Sequence, residues 1–534
     1  MVSIENCLPR AGFRGVSLQS QGFHAMLRKL GTVSGLTLAS RILGFLRDVV
    51  LAAILGAGPV ADAFMLAFRL PNHFRAILAE GAFNAAFLPT WAAADAAGRD
   101  STRLGSEVLG WLTLANLALL AFALGATGWM LAVLAPGLSP ADETWPLVVT
   151  LTRITFPYLL CMSLVAFLAA LLNGRDRFAA PAAAPILLNL FMIGALLMAA
   201  SFPSAAHAAA WGVMASGVGQ VVLLAVATTR AGLPLPRPRL GLSPDTRLVF
   251  RRLGPAILTS GALQVAIFAD TIIATFLPTG SLSHLYYADR LYQLPIGLIG
   301  VALGTVILPD IGRRAGLGDA AGMRAVLDRA LLICLVVGVP VAVLMATLGD
   351  WALQILFVRG AFDMAAAKAA AAILAAYALG LVPALALRSL VAGFHGRGDT
   401  RTPLRLLVAA TVVNIGLKIL LAPALGAAGL ALATSAGLTL YAVLLLRTGQ
   451  ARGFLKGPRP KAAMVVLGTG CASGLLLLWS RDAALRAIET VTGPGWALPI
   501  AFVVLVLATL IVQGLVTVRV LGRSAFAGQD RPGG

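Results

Sequence analysis

The chain reads as an all-α polytopic membrane protein with fourteen transmembrane helices: two six-helix lobes related by a pseudo-two-fold axis along the membrane normal, then two C-terminal helices. Three observations predict this. Of 534 residues, 59% are apolar and 12% charged, with a mean hydropathy of +0.90, a balance outside that of soluble globules. Residues 108–141 and 178–229 contain no Asp, Glu, Lys or Arg, well beyond the roughly 20 apolar residues that cross a bilayer. Basic residues, finally, gather in alternate loops.

In chain order, charge-poor windows bounded by Pro, Gly and charge clusters begin near Gly31, Val60, Leu104, Thr144, Phe178, Ala206, Val249, His284, Ala330, Ala365, Pro403, Ala427, Ala462 and Gly495. The 178–229 stretch holds two spans that turn near Pro203 and His207. Counting the N-terminus, the stretches around Arg99, Arg175, Arg230 to Arg252, Arg313, Arg397, Arg447 to Lys461 and Arg519 carry about 29 of the 41 Lys and Arg. The intervening loops carry only Arg359, Lys368, Arg481 and Arg486, so both termini are expected to face the cytoplasm. The same pattern accounts for the formal charge of +19 without nucleic acid as a partner.

Residues 1–25 read as an N-terminal extension with no secretory-type apolar core, either disordered or preceding a start at Met26. Residues 26–235 form the expected N-lobe (helices 1–6), 245–455 the C-lobe (helices 7–12), 460–520 the last helix pair and 521–534 a cytoplasmic tail. Cys7, Cys161, Cys334 and Cys471 are too dispersed for a disulfide framework, and the five histidines form no ligand cluster, so no metal is expected.

The lobes rest on an internal repeat. Asp48 and Asp270, Gly174-Arg175 and Gly396-Arg397, and Pro181 and Pro403 are each separated by 222 residues; Leu70-Pro71 with Leu294-Pro295 and Leu88-Pro89 with Leu308-Pro309 lie within two of that spacing. Such a unit contains six spans, an even number, so both copies enter the membrane in the same orientation and a cavity is expected between them.

Into that cavity the first two spans carry Arg41, Arg47, Asp48, Asp62, Arg69, Arg75 and Glu80. A charge at mid-membrane costs roughly 2.5–3.5 kcal/mol on insertion scales, so seven call for water and mutual pairing. Arg41 and Asp48, seven apart, share a helix face with Gly44 between them, while Arg47 points elsewhere. Pro71 has no amide hydrogen and its ring displaces the carbonyl of Ala67, which predicts a kink or break flanked by Arg69 and Arg75. One reading pairs these charges structurally, Arg41 with Asp48 and Arg75 with Glu80. Yet Arg41, Arg47, Arg69, Arg75, Arg153, Arg290, Arg388 and Lys418 outnumber Asp48, Asp62, Glu80, Asp270 and Asp289 by three. An anionic guest balances that surplus, and the planar fork of arginine suits a diphosphate.

At these residues the sequence resembles the MurJ (MviN) family of lipid II flippases, within the multidrug/oligosaccharidyl-lipid/polysaccharide exporter superfamily. The matching segments are SRILGFLRD from Ser40, ADAFMLAFRLPNHFRAILAEGAFNAAFLP from Ala61, RITFPY from Arg153, YYADRLYQLP from Tyr286 and GRGDTRTP from Gly396. The resemblance implies a transporter of the bacterial inner membrane, not an enzyme, that moves undecaprenyl-diphosphate-linked muropeptide for cell-wall biogenesis. It implies that Arg41, Arg47, Arg75 and Arg290, with Ser40 and the basic position Arg388, hold the diphosphate and head group. Asp48, Asp62, Glu80, Asp289 and Arg69 are then the gating and ion-pairing set, and the last helix pair grooves the lipid tail. It implies no cofactor, leaves coupling to membrane potential or a monovalent cation open, and suggests cell-wall synthesis proteins as partners. Gln293 departs from the pattern, since many relatives place an acid there; Asp289 or Glu80 would substitute. Rival readings are a flippase for another undecaprenyl-diphosphate-linked oligosaccharide and an enzyme acting on polyprenyl diphosphates, which would need an acidic Mg²⁺ cluster or an activated nucleophile that the sequence lacks.

Overall fold

The computed structural model describes residues 15–76, 83–458 and 460–522. Seventeen α-helices run through them: α1 (Gly15–Leu55), α2 (Pro59–Arg75), α3 (Phe83–Ala96), α4 (Ser101–Gly125), α5 (Thr127–Leu134), α6 (Trp145–Thr155), α7 (Tyr158–Asn173), α8 (Ala179–Leu197), α9 (Ala205–Arg230), α10 (Pro244–Ala274), α11 (Ser281–Gly316), α12 (Ala320–Phe357), α13 (Met364–Ala378), α14 (Leu381–His395), α15 (Arg401–Ala451), α16 (Pro460–Thr492) and α17 (Pro494–Leu521). Their starts follow the physics of orphan amides: Asp100, Ser204, Ser243, Asp319 and Asp363 each accept from the backbone N–H three residues on. The helix α1 begins ahead of Met26, while residues 1–14 of the expected extension and most of the expected tail, 523–534, lie outside the described residues.

Eight helices among the described residues are long and apolar enough to cross a membrane, and α13 with α14, bent by 41°, make a ninth. At 51 residues α15 would extend about 77 Å, more than twice a bilayer core. It is two helices meeting at Gly426, whose φ of 57° and ψ of −139° break the helix. Helices α1, α2, α10 and α11 stand outside that apolar set and carry most of the intramembrane charges.

The turns recur at the repeat spacing. Helix α7 closes with Gly174 N–H on the Ala170 carbonyl, Arg177 N–H on that of Leu172 and a positive φ at Asp176; α14 closes with Gly396 on Ala392, Asp399 on Phe394 and a positive φ at Gly398. Helix α9 and the second part of α15 end likewise, at Gly232 and Gly453, both with φ near 73°. The break between α6 and α7 at Pro157 has its counterpart in the break between α13 and α14 at Leu379.

Packing joins α1 to α8, α8 and α7 to α9, and α2 to α6 within the first half of the chain; in the second, α11 to α15 pack on one another. Helix α10 lies against α3 as well as α15, and α2 against α11, so the halves meet along these helices. Helices α16 and α17 pair with each other and cover α12, where Leu348, Trp351, Leu477 and Ala501 are buried together.

The second span is not broken at Pro71, as a break-or-kink reading allowed: α2 continues through it to Arg75. The carbonyl of Ala67, which loses its i+4 donor to the proline, accepts instead from the Thr155 hydroxyl of α6 at 2.8 Å. A hydroxyl from a neighbouring helix thus keeps a proline-containing span free of an unsatisfied polar group.

Candidate functional site

Between the halves lies a cavity of about 630 Å³, whose wall includes Arg47 of α1, Arg69 and Arg75 of α2, Asp270 of α10 and Asp289 and Arg290 of α11. Four arginines face two aspartates there. Neutral polar groups fill much of the remaining wall: Asn72, His73, Tyr286, Tyr292, Gln293, Tyr377 and Thr434.

Asp48 is buried, 2% exposed. Its Oδ1 accepts from Arg47 Nη2 at 2.7 Å, from Arg47 Nε at 3.0 Å and from the Tyr286 hydroxyl at 2.7 Å. Arg290 Nε stands 3.4 Å from Oδ2, an ion pair without a formed hydrogen bond, and its guanidinium lies 4.4 Å from the centre of the Tyr286 ring. Arg47 Nη1 also donates to Asn189 Oδ1 at 3.0 Å, and Asn189 Nδ2 donates to the Ser40 carbonyl at 2.9 Å. Ser40 therefore joins the cluster through its backbone. The alternative reading that pairs Arg41 with Asp48 is not what the structure shows: Arg47 and Arg290 take that carboxylate, because Arg47 doubles back onto its own neighbour.

Arg41 and Arg388 reach α11 further along. A Cβ on Gly297 would overlap Nη1 of Arg41, and one on Gly300 would lie 3.0 Å from Cζ and Nε of Arg388. Arg75 donates to Asn72 Oδ1 at 3.1 Å, and Gln293 to Asp289 Oδ1 at 3.3 Å. Lys418, 1% exposed, pairs with Asp270 at 2.7 Å, while Arg153 turns away from the cavity to Thr127. Glu80 lies outside the described residues.

Asp62 sits apart from the arginines. Its carboxylate accepts from the N–H groups of Gly280 and Ser283 at 2.6 and 2.8 Å and from the Ser283 hydroxyl at 2.7 Å, so it serves the amino end of α11 from the opposite half. Nearby, Ala361 N–H donates to the Ala53 carbonyl at 2.8 Å, the Tyr287 hydroxyl to the Gly56 carbonyl at 3.1 Å and Gly137 N–H to Thr275 Oγ1 at 3.0 Å. Gly56 has φ +67°, and a Cβ there would meet the Ala361 carbonyl. These contacts close the cavity at the end where α1 passes to α2. At the far side, Glu107 accepts from Ser243 N–H and the Thr246 hydroxyl, and Arg99 pairs with Asp245, clasping α10 to α4.

Sequence reasoning singled out neither Asn189 nor the tyrosines as site residues. The signal for Asn189 was available: it is an amide inside the uncharged 178–229 stretch, where a lone polar side chain calls for a partner.

Helix bundles lining a basic chamber between two halves define a multi-pass membrane protein of the transporter class. A family model described as "Lipid II flippase MurJ" matches residues 51–515, and the chain belongs to that family. It is 38% identical to the probable lipid II flippase MurJ of Rhizobium meliloti over 80% of this chain and 81% of that one. It is 34% identical to the lipid II flippase MurJ of Burkholderia cenocepacia, over 82% and 86%. The fold resembles a solved lipid II flippase MurJ in an inward closed conformation, with a TM-score of 0.76 and 23% identity over 92% of this chain and 99% of that one. It also resembles an inward-facing multidrug resistance MATE transporter of the MOP superfamily, with a TM-score of 0.64 and 16% identity over 77% and 94%.

Proposed function

We propose that this protein is a flippase carrying lipid II, the undecaprenyl-diphosphate-linked muropeptide, from the cytoplasmic to the outer leaflet of the bacterial inner membrane by alternating access. The observation that carries this reading is the arginine-rich wall, which keeps a net positive charge after its internal pairs are counted. A diphosphate is the guest that such planar donors fit. The likeness to curated flippases over four-fifths of both chains supports the substrate.

In this reading fourteen spans form an N-lobe (26–235), a C-lobe (245–455) and a final pair (460–520), supported by helices at all fourteen expected positions and by turns repeated at 222 residues. Arg41, Arg47, Arg75, Arg290 and Arg388, with Ser40, bind the head group; Asp48, Asp289 and Arg69 tune those arginines, and Asp62 and Glu80 belong to the gate. Basic loops put both termini in the cytoplasm, so the sealed end faces outward and the guest enters from inside. Apolar side chains exposed along α16 and α17, among them Leu475, Trp479, Val503 and Leu507, offer a surface for the polyprenyl tail. Rocking of the lobes delivers the head group outward only if the inward state binds it more tightly than the outward one. Drive comes from the membrane potential, about 2.3 kcal/mol per charge per 100 mV, or from a monovalent cation.

The test is replacement. A bacterium depleted of its own flippase and supplied with this protein should deliver lipid II to the outer leaflet, as read by an externally added enzyme that cleaves the exposed head group. Failure to do so, with another undecaprenyl-linked oligosaccharide appearing outside instead, would replace lipid II by that substrate.

A further inference from the structure

Besides Arg69 of α2, which also has no hydrogen bond or ion pair among the described residues, two guanidinium groups stand out from the paired cluster. Arg41 of α1 and Arg388 of α14 have neither a hydrogen bond nor an ion pair among the described residues, whereas Arg47 and Arg290 share Asp48. They come from opposite halves of the chain, yet both lie against α11. Arg41 occupies the space a side chain at Gly297 would fill, and Arg388 presses against the space one at Gly300 would fill. Three positions apart on a helix, those sites share a face and are separated by about 4.5 Å along the axis.

The geometry points to Gly297 and Gly300 as positioning residues that dock this pair of unneutralised arginines on α11, forming a two-pronged receptor for two linked phosphoryl groups and distinguishing a diphosphate lipid from a monophosphate lipid. The inference rests on the diphosphate reading above and adds the residues that set its selectivity. Glycine leaves room for a guanidinium at each place: a Cβ would overlap Nη1 of Arg41 at Gly297 and crowd Cζ and Nε of Arg388, at 3.0 Å, at Gly300. A methyl group there displaces the flexible end of an arginine and leaves helix packing intact, since alanine is the better helix former. Each prong then loses its aim: arginine forks bind phosphate oxygens only in a defined plane. Gly312, on the same helix, has nothing within 4 Å of a built Cβ and serves as the control.

The experiment measures binding of undecaprenyl diphosphate and undecaprenyl monophosphate to the purified full-length protein and to G297A, G300A and G312A, with a thermal melt of each. Wild type and G312A should prefer the diphosphate. In G297A and G300A its affinity should fall about tenfold, the counterpart of one lost charge-assisted hydrogen bond, with monophosphate affinity and melting unchanged. Equal selectivity in all four proteins would overturn the positioning role while leaving the diphosphate site standing. Absence of any diphosphate preference in the wild type would overturn the underlying reading as well. A parallel loss for both lipids accompanied by a lowered melt would assign the glycines to packing alone and so also refute the proposal.

Discussion

Asp48 holds two guanidinium groups that a bilayer interior would otherwise expel, and this makes its chemistry different from that of the arginines it serves. Removing one member of a buried ion pair typically costs about 3–5 kcal/mol, because the other is left uncompensated. Arg47 and Asp48 are 7% and 2% exposed, so Asp48→Asn should lower the melting temperature of the purified protein markedly. Arg41 is exposed, lies against Gly297 of α11 and pairs with no carboxylate among the described residues, so Arg41→Ala should abolish transport with the melt unmoved. Equal melts for the two variants would show that Asp48 is not the structural anchor. A third residue, Asp399, lies outside the membrane spans, where bonds from Thr402 and then Arg452 hold its carboxyl well below the usual range. Its folded pKa is depressed, so its contribution is complete above the unfolded value of about 3.9 and is lost as pH falls through the folded one. Stability should therefore not change through this group between pH 7 and 5, and Asp399→Asn should flatten only the acid limb of a pH–melting curve.

At the scale of one element, α2 shows how a span with an internal proline avoids an orphan carbonyl. Thr155→Val keeps the shape but removes the donor to Ala67, which should cost about 1–3 kcal/mol in unfolding experiments. In a Pro71→Ala background the amide of residue 71 regains that carbonyl, and the same Thr155→Val change should cost much less. Additive effects would mean that Thr155 and Pro71 are not coupled through Ala67. The sequence made the proline and its displaced carbonyl legible, because both follow from covalent structure. It could not show that a helix 88 residues away supplies the replacement hydrogen bond. The same limit explains Asp62. A carboxylate in an apolar stretch was readable, and the resemblance alone implied a gating role for it, but its partners are backbone amides of α11, which no side-chain pattern announces. Arg47 was expected to face away from Asp48 on helical geometry, and its long side chain returned to it nonetheless.

For the whole molecule, the even repeat, the charge-poor windows and the arginine surplus were readable because hydropathy and charge act one residue at a time. The closed end was not, since it depends on which halves touch. There Ala53 and Ala361 share a backbone hydrogen bond, so cysteines at both positions should cross-link under oxidation. Cross-linked protein should stop translocating and resume on reduction; unimpaired transport by the cross-linked form would exclude opening at that end. In the proposed cycle the contacts made by Asp62, Gly56 and Tyr287 separate as the halves rock, bringing the arginines to the outer solution.

The central claim is that arginines without carboxylate partners carry a diphosphate lipid across the membrane. The most direct measurement is the orientation of lipid II in cells whose sole flippase is this protein with Arg41→Ala and Arg388→Ala, compared with the unaltered chain at equal membrane abundance. The account predicts lipid II retained in the inner leaflet for the double variant and delivered outward by the unaltered protein. Outward delivery at the normal rate by the double variant would contradict it.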